Sequence, residues 1–221
     1  IFSWSFLESR PYAFILEDAL VKISILDYPD RWVNMIQQYK EIIEGDYKLF
    51  SVAKSFRVLS KSFQRFVTED KSDFIFSQIL FIVSELGSDV LISLERSVKI
   101  MSSSKDLKVV SDHLEVIEQV LEFYMILIAH DIPDFFDTNG YRIFEAIKNF
   151  ISIDLNWALV ETRAFGSYSN VLICVGKLLD LYSSKYPEDM MDELFLIEAA
   201  ITILIQGTRF DNRVRNYFVK F

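Results

Sequence analysis

Cysteine, glycine and proline are all scarce in this chain of 221 residues, and each scarcity excludes a class of structure. The single cysteine, Cys174, cannot form a disulfide within the chain, and no Asn-x-Ser/Thr acceptor for N-glycosylation occurs. Both observations are typical of a protein in a reducing compartment. The six glycines and four prolines are few for this length, whereas sheet proteins use such residues in many tight turns. We therefore expect long helices joined by few connections.

Long apolar runs and positive charge are lacking too. No stretch of 18 uninterrupted apolar residues exists, and the strongest candidate, residues 194–205, is short and contains Glu198. We interpret it as a buried helix and predict no membrane insertion. The net charge is −9. Because phosphate binding requires clustered Lys and Arg, this charge disfavours nucleic acid as a partner and is compatible with a basic protein.

Apolar residues recur at steps of three and four along nearly the whole chain, which predicts amphipathic helices. The clearest pair occupies residues 31–45 and 50–66, and Gly45 is placed to end the first helix with a positive φ. Asp106 is placed as the N-cap of a later helix. The other predicted helices cover residues 74–101 (interrupted and kinked at Gly87), 107–128, 141–153, 170–186 (after a connection at 157–167), 187–207, and a last one from about 212.

Three junctions share one form, with a proline followed by an acid: Pro29-Asp30, Pro133-Asp134 and Pro187-Glu188. Proline suits the first position of a helix, and the acid meets the positive end of the helix dipole. Their spacing suggests a repeat period near fifty, similar to that of HEAT helix pairs. The alternative is three ordinary helix starts in an irregular bundle. We predict an all-α HEAT-repeat superhelix of about four to five repeats across residues 1–221. Since neither end has a polar capping face, we expect a fragment of a longer protein.

The sequence offers no catalytic or metal-binding constellation. It has no Gly-rich phosphate loop and no His-Glu-x-x-His motif. His113 and His130 are not at metal-ligand spacing, and Cys174 lies on an apolar helix where a buried packing thiol is the simplest interpretation. We therefore predict a protein that is not an enzyme and carries no cofactor.

Two charged stripes have helical spacing, and each has two interpretations. An acidic stripe contains Asp112, Glu115, Glu118 and Glu122, and a basic stripe contains Lys54, Arg57, Lys61 and Arg65. Each is either a solvated helix face or a protein-contact surface. For the aromatic residues Trp32, Phe135 and Phe136, we favour packing between repeats over a ligand pocket.

Three segments carry a resemblance beyond periodicity: Tyr28-Pro29-Asp30-Arg31-Trp32, the helix 49–55, and Asp131-Ile132-Pro133-Asp134-Phe135-Phe136-Asp137-Thr138-Asn139. In this order they resemble the N-terminal half of the CAS-type exportins of the importin-β superfamily. The third segment is the most specific of the three, with Asp134 and Asp137 where that family has Glu. The later segment 178–186 is similar to another element of the family, whereas the connections near Ser103 and at 154–167 are shorter.

The resemblance implies a nuclear transport receptor. It would bind the small GTPase Ran in its GTP form and importin-α, contact nucleoporins, and shuttle between nucleus and cytoplasm while exporting importin-α. The alternatives are another importin-β superfamily receptor and a HEAT-repeat scaffold outside transport. In this family the second helix of each repeat lines the binding surface. By face and charge, the candidate partner-binding residues are Glu17, Asp18, Lys54, Arg57, Asp112, Glu115 and Glu122.

Overall fold

The computed structural model describes residues 10–45, 49–69, 72–155, 158 and 162–185, and these residues form helices and connections without a β-strand. The predicted all-α class is confirmed. The helices are α1 (Arg10–Asp27), α2 (Met35–Glu44), α3 (Leu49–Phe63), α4 (Arg65–Thr68), α5 (Asp73–Ser103), α6 (Leu107–Leu127), α7 (Asp134–Ile151) and α8 (Thr162–Lys185).

The helices pack in two layers. Helices α2, α5 and α7 lie side by side in one layer. Each of them is the first helix of a helix pair, so we call this layer the first-helix layer. Helices α1, α3, α6 and α8 lie side by side in the other, the second-helix layer. The pairs are α2–α3, α5–α6 and α7–α8, and α1 occupies the place of a second helix from a preceding pair. This stacking of helix pairs is the solenoid arrangement that the periodicity predicted.

Apolar residues close the space between the layers. Helix α6 is central, because it packs against α3, α5 and α8, and it is buried on every side except one stripe. Phe123 of α6 packs on Phe56 of α3 with ring centroids 5.9 Å apart. The buried Tyr124 hydroxyl of α6 forms a hydrogen bond with the Tyr182 hydroxyl of α8. The core is therefore continuous from one pair to the next.

Helix ends show where local sequence rules apply and where they fail. The Asp106 carboxylate caps α6 as predicted, accepting hydrogen bonds from the Lys108 and Val109 amides at 2.8 and 3.3 Å. Gly45 does follow α2, but its φ is −73°, so the predicted positive φ is wrong. Pro133 immediately precedes α7, and Asp134 lies in the first turn of that helix as expected, together with Asp137. Pro29 instead lies in a turn, and α2 begins only at Met35.

Other predicted boundaries shift in the structure. Helix α7 begins at Asp134 rather than at Tyr141, and α8 begins at Thr162 within the predicted connection. The first helices of the pairs begin at Met35, Asp73 and Asp134, which are unevenly spaced, so the period near fifty holds only as an average. The predicted helices at 187–207 and beyond 212 lie outside the described residues, as does the Pro187 junction.

Gly87 does not interrupt α5, which runs unbroken from Asp73 to Ser103. Its role is to let Phe135 approach, since a Cβ at Gly87 would stand 2.8 Å from the Phe135 ring. Phe136 is fully buried and packs edge-on against Tyr124, with ring centroids 4.7 Å apart. Trp32 packs partly buried against the core, and its indole donates a hydrogen bond to Gln38. The prediction that these aromatic residues serve packing is confirmed.

Within the described residues, α5 is the one helix that is long and apolar enough to cross a membrane by length and composition. In this fold it packs against α2, α6 and α7, and half of its most apolar window is buried among them. The buried half of its apolar residues packs in the core, whereas Phe74, Phe76, Leu80, Phe81 and Ile92 are exposed.

Candidate partner-binding face

The second-helix layer carries a cluster of charges that joins α1 to α3. Glu17 of α1 is only 1% exposed and accepts hydrogen bonds from Lys61 Nζ at 2.6 Å and Lys54 Nζ at 3.0 Å. It also forms an ion pair with Arg57, whose Nε lies 3.1 Å from Glu17 Oε1. The three cations recur at steps of three and four on α3, so they lie along one face and converge on one carboxylate. We call these four residues the Glu17 cluster.

Burial and ion pairing act in opposite directions on Glu17. Burial alone would raise its pKa, but the hydrogen bonds from Lys61 and Lys54 and the charges of Lys54 and Arg57 outweigh it, so the pKa of Glu17 is lowered. The carboxylate is therefore ionised at neutral pH. Lys54 is itself 2% exposed, and its Nζ also lies 5.3 Å from the Phe50 ring centroid. A lysine buried to this extent requires the anion that faces it.

The acidic stripe lies on the only face of α6 that is not buried. Asp112, Glu115, Glu118 and Glu122 are all half-buried, whereas the residues between them pack in the core. Burial raises the pKa of Glu122, partly offset by the charges of Arg57 and Lys177. Burial likewise raises the pKa of Glu118, partly offset by hydrogen bonds from Asn170 and Ser167. The stripe is thus a narrow anionic seam between neighbouring helices rather than a fully solvated face.

Helix α8 extends this polar surface. The Asn170 amide of α8 donates to Glu118 Oε1 at 2.8 Å, and Lys177 is exposed and lies near enough to Glu122 to influence its pKa. Along the second-helix layer, anions of α1 therefore face cations of α3, followed by anions of α6 and a cation of α8. Polar contacts therefore join α1 to α3 and α6 to α8, and the charge of Arg57 on α3 attracts Glu122 on α6.

The predicted site residues fall into two groups. Asp18, Arg57, Asp112, Glu115 and Glu122 are exposed or half-buried, and their role in partner binding stays a prediction. Glu17 and Lys54 are buried, which differs from the surface position that the prediction assumed. Their charges face each other because α1 packs directly on α3. Within the basic stripe, Lys54 is buried, Arg57 is half-buried and Lys61 is exposed.

Sequence reasoning left three residues of this surface out of the candidate set. Lys61 makes the shortest contact to Glu17, and its place in the basic stripe was the available signal. Glu118 was visible as a member of the acidic stripe. Asn170 of α8 carries no sequence signal of its own, because its partner lies on another helix pair.

The described residues contain no group of His, Cys, Asp and Glu side chains placed to hold a metal ion. Cys174 is buried, and burial raises the pKa of its thiol to about 12, so the thiol is a packing group as predicted. Burial lowers the pKa of His113, whose Nδ1 lies 3.1 Å from Ser97 Oγ. Both groups lie inside the core.

Comparison with known families decides what kind of solenoid this is. The family model described as Cse1 matches residues 62–214, well over half of the chain. This chain belongs to the Cse1 family. The matched range includes the Asp131–Asn139 segment and the acidic stripe, whereas Glu17 and the Tyr28–Trp32 segment precede it. The resemblance to the CAS-type exportins is confirmed, and the most specific of its segments lies inside the matched range.

Two individual relatives agree with the Cse1 assignment. "Exportin-2" of Dictyostelium discoideum is 18% identical over 181 residues, which are 79% of this chain and 19% of that protein. The solved structure titled "The exportin Cse1 in its cargo-free, cytoplasmic state" superposes with a TM-score of 0.67 at 17% identity. The superposed region covers 85% of this chain and 20% of the chain in the solved structure. The chain thus spans about a fifth of the length of these Cse1-type relatives.

Proposed function

We propose that this chain is part of a nuclear transport receptor that exports importin-α from the nucleus to the cytoplasm together with Ran in its GTP form. The observation that carries the proposal is membership of the Cse1 family over residues 62–214. Both relatives described above are exportins by name. The proposal assigns no catalytic step to the chain, and GTP hydrolysis takes place on Ran.

The proposed receptor is longer than this chain. Since the chain spans about a fifth of its relatives, we propose that residues 1–221 are a single solenoid segment and that other repeats complete the cargo site. Contact with nucleoporins and shuttling through the nuclear pore belong to the same proposal. Coupling between Ran and importin-α would then be a linkage between two binding free energies on one solenoid.

Within this chain, the second-helix layer is the proposed surface for Ran. Its support is the concentration of accessible charge along the acidic stripe and at Arg57 and Asp18. A half-buried anionic seam gives a basic partner stronger electrostatic complementarity than fully solvated charges, because water screens it less.

A calorimetric titration of the full-length receptor tests the proposal. Ran would be loaded with GTP or GDP and titrated with and without importin-α. We expect binding to the GTP form alone, strengthened by importin-α, and by reciprocity a stronger affinity for importin-α when Ran-GTP is present. If Ran-GTP instead expels cargo, the protein is an importin-type receptor. If Ran does not bind in either nucleotide state, the protein is a scaffold and the proposal fails.

A further inference from the structure

Three carboxylates lie where α2 ends against the middle of α5, in the first-helix layer and so away from the proposed Ran surface. Glu44 is the last residue of α2, and Glu85 and Asp89 are four positions apart on one face of α5. The charges of Glu44 and Glu85 both act on Asp89, so the three carboxylates are neighbours. We call Glu44, Glu85 and Asp89 the α2-end carboxylates.

Lys40 of α2 stands among these carboxylates and does not satisfy them. Its Nζ is 3.8 Å from Glu85 Oε2 and 4.0 Å from Glu44 Oε1, and both distances are longer than a hydrogen bond. Among the described residues at this joint, one positive charge therefore faces three negative charges. The C-terminal end of α2 adds the negative end of the helix dipole. The joint consequently favours a further cation.

Asp89 is the deepest of the α2-end carboxylates. It is 8% exposed, and its Oδ2 accepts no hydrogen bond within the described structure. Burial and the charge of Glu44 raise its pKa to about 6, against the opposing effect of Lys40. At neutral pH this oxygen is therefore ionised, buried and without a donor, which is unfavourable. A donor that carries positive charge would relieve that cost.

The joint is accessible from solvent on its outer side. Glu44 is exposed and Glu85 is half-buried, so both carboxylates can contact another molecule. Ile92 lies one turn beyond Asp89 on the same face of α5 and is exposed as well. The surface thus offers a group of anions with an apolar side chain next to it.

We propose that the α2-end carboxylates bind an arginine side chain of a partner protein, and that an apolar residue beside this arginine packs on Ile92. A guanidinium presents several N–H donors in a planar fork, so it can bind more than one carboxylate at once. It is also more weakly hydrated than an ammonium and costs less to bring beside a buried carboxylate. The chemistry of the joint therefore selects arginine over lysine.

Short peptides titrated into the isotope-labelled full chain test the proposal by NMR, which gives dissociation constants and shows which backbone amides shift. The probe is acetyl-Gly-Arg-Gly-Leu-Gly-amide. Matched peptides replace its arginine with lysine or with the uncharged citrulline, or its leucine with glycine. We expect the probe to shift the amides between Glu85 and Ile92 and to bind about tenfold more tightly than the citrulline peptide, as for one charge-assisted hydrogen bond. The lysine and glycine peptides should bind about threefold more weakly than the probe.

Variants of the chain show whether the probe binds at this joint. Asp89→Asn keeps the size of the side chain and removes its charge, so it should weaken binding of the probe about tenfold. Ile92→Ser should weaken binding about threefold and leave the preference for arginine over citrulline unchanged. Glu145→Gln is the matched control, because it removes an exposed carboxylate of α7 and changes the net charge by the same amount. Circular dichroism establishes that each variant is folded.

The pH dependence of binding gives a readout that depends on Asp89. Since the probe binds the ionised carboxylate, its affinity should be full at pH 7.5 and fall severalfold at pH 5, below the folded pKa of about 6. In Asp89→Asn this fall should be smaller.

Four results would each overturn the proposal: equal affinity for the arginine and citrulline peptides, full affinity in Asp89→Asn, an affinity for the probe that is independent of pH, or no binding of any peptide. None of these measurements involves Ran, so failure here leaves the proposed function standing.

Discussion

Lys54 is a lysine that the structure buries almost completely, and Glu17 is the residue that makes this burial possible. The two side chains are 2% and 1% exposed and lie 3.0 Å apart. Arg57 and Lys61 reach the same carboxylate from positions nearer the surface. A single residue of α1 thus satisfies three residues of α3, and the loss of that residue would leave the buried cation without an anion.

We predict that Glu17→Gln destabilises the chain by about 3–5 kcal/mol, because breaking a buried pair leaves an uncompensated charge. Urea unfolding followed by circular dichroism measures the change in the free energy of unfolding. Asp18→Asn is the control, since Asp18 is 70% exposed and lies 3.9 Å from Lys61. Its effect should stay below about 1 kcal/mol. Equal losses in the two variants would contradict the central role of Glu17.

The same pair gives the stability a pH dependence of known sign. Because the pKa of Glu17 is lowered from 4.5 in the fold, its carboxylate contributes stability above pH 4.5. That contribution is lost as the pH falls through the folded value. The difference in stability between the wild-type chain and Glu17→Gln should therefore be full at pH 7 and shrink below pH 4.5. A difference that is independent of pH down to 3 would exclude this mechanism.

Asp89 lies at the interface of α5 with α2, and its pKa is shifted in the opposite direction to that of Glu17. It is 8% exposed and its Oδ2 has no hydrogen-bond partner within the described structure. Burial raises its pKa to about 6, and Glu44 adds to the shift while Lys40 opposes it. Lys40 is itself near Glu85 and Glu44, at 3.8 and 4.0 Å, so it cannot fully neutralise Asp89.

We predict that Asp89→Asn raises the stability of the chain by about 2 kcal/mol at pH 7.5, on the basis that one pKa unit corresponds to about 1.4 kcal/mol. The folded pKa is above the ordinary value of 3.8, so the cost of the charge is full above pH 6 and disappears below 3.8. Denaturation at pH 7.5 and at pH 4 measures the free energy of unfolding above and below the folded pKa of Asp89. Glu41→Gln at an exposed position of α2 is the control, and a gain that is equal at both pH values would refute the interpretation.

At the scale of helices, Gly87 in the middle of α5 is explained by the close approach of a neighbouring side chain and not by the formation of a turn. Phe135, just after the Pro133 junction, lies over Gly87, where any Cβ would meet its ring. The Phe-Phe pair of the junction therefore serves two purposes, since Phe136 fills the core and Phe135 packs α7 onto α5. Gly166 in α8 has no atom within 4 Å of such a Cβ and provides a comparison.

We predict that Gly166→Ala stabilises the chain by about 0.5–1 kcal/mol, the usual gain for alanine over glycine in a helix. Gly87→Ala should lose that gain and cost about 1–2 kcal/mol, because the Phe135 ring must move. Thermal unfolding of both variants gives the comparison. The double variant Gly87→Ala with Phe135→Ala should show that the two effects are not additive. Additive losses would mean that Phe135 is not the obstacle.

At the scale of the whole molecule, four pairs of neighbouring helices within the described layers are joined by polar contacts over an apolar core. In the first-helix layer Lys40–Glu85 joins α2 to α5, and Glu95–Arg142 joins α5 to α7. In the second-helix layer the Glu17 cluster joins α1 to α3, and Glu118–Asn170 joins α6 to α8. Such contacts act between nearest neighbours, which is how a solenoid accumulates its stability.

If the acidic stripe belongs to the proposed Ran surface, reversal of its charge should weaken binding. We predict that Asp112→Lys with Glu115→Lys lowers the affinity of the full-length receptor for Ran-GTP severalfold and reduces its salt dependence, because both residues are accessible. Calorimetry at two ionic strengths measures the affinity for Ran-GTP and its dependence on salt. Glu145→Lys in the other layer is the control, and an unchanged affinity in a folded stripe variant would remove the stripe from the interface.

The sequence by itself determined the all-helical class, the two-layer pairing and the family, because each depends on local signals. Periodic apolar residues, the Asp106 cap and the Asp131–Asn139 segment all act within one or two helices. Helix starts were less well predicted: Pro29 lies in a turn and α7 begins a full two turns before the predicted residue, since packing against neighbours extends or delays a helix.

Only the tertiary structure decided which charges face solvent and which face each other. Glu17 and Lys54 are 37 positions apart, and Glu118 and Asn170 are 52 apart. No spacing rule relates such positions, because their contact depends on which face each helix turns towards its neighbour. The packing of α1 on α3 therefore turned two predicted surface residues into a buried pair.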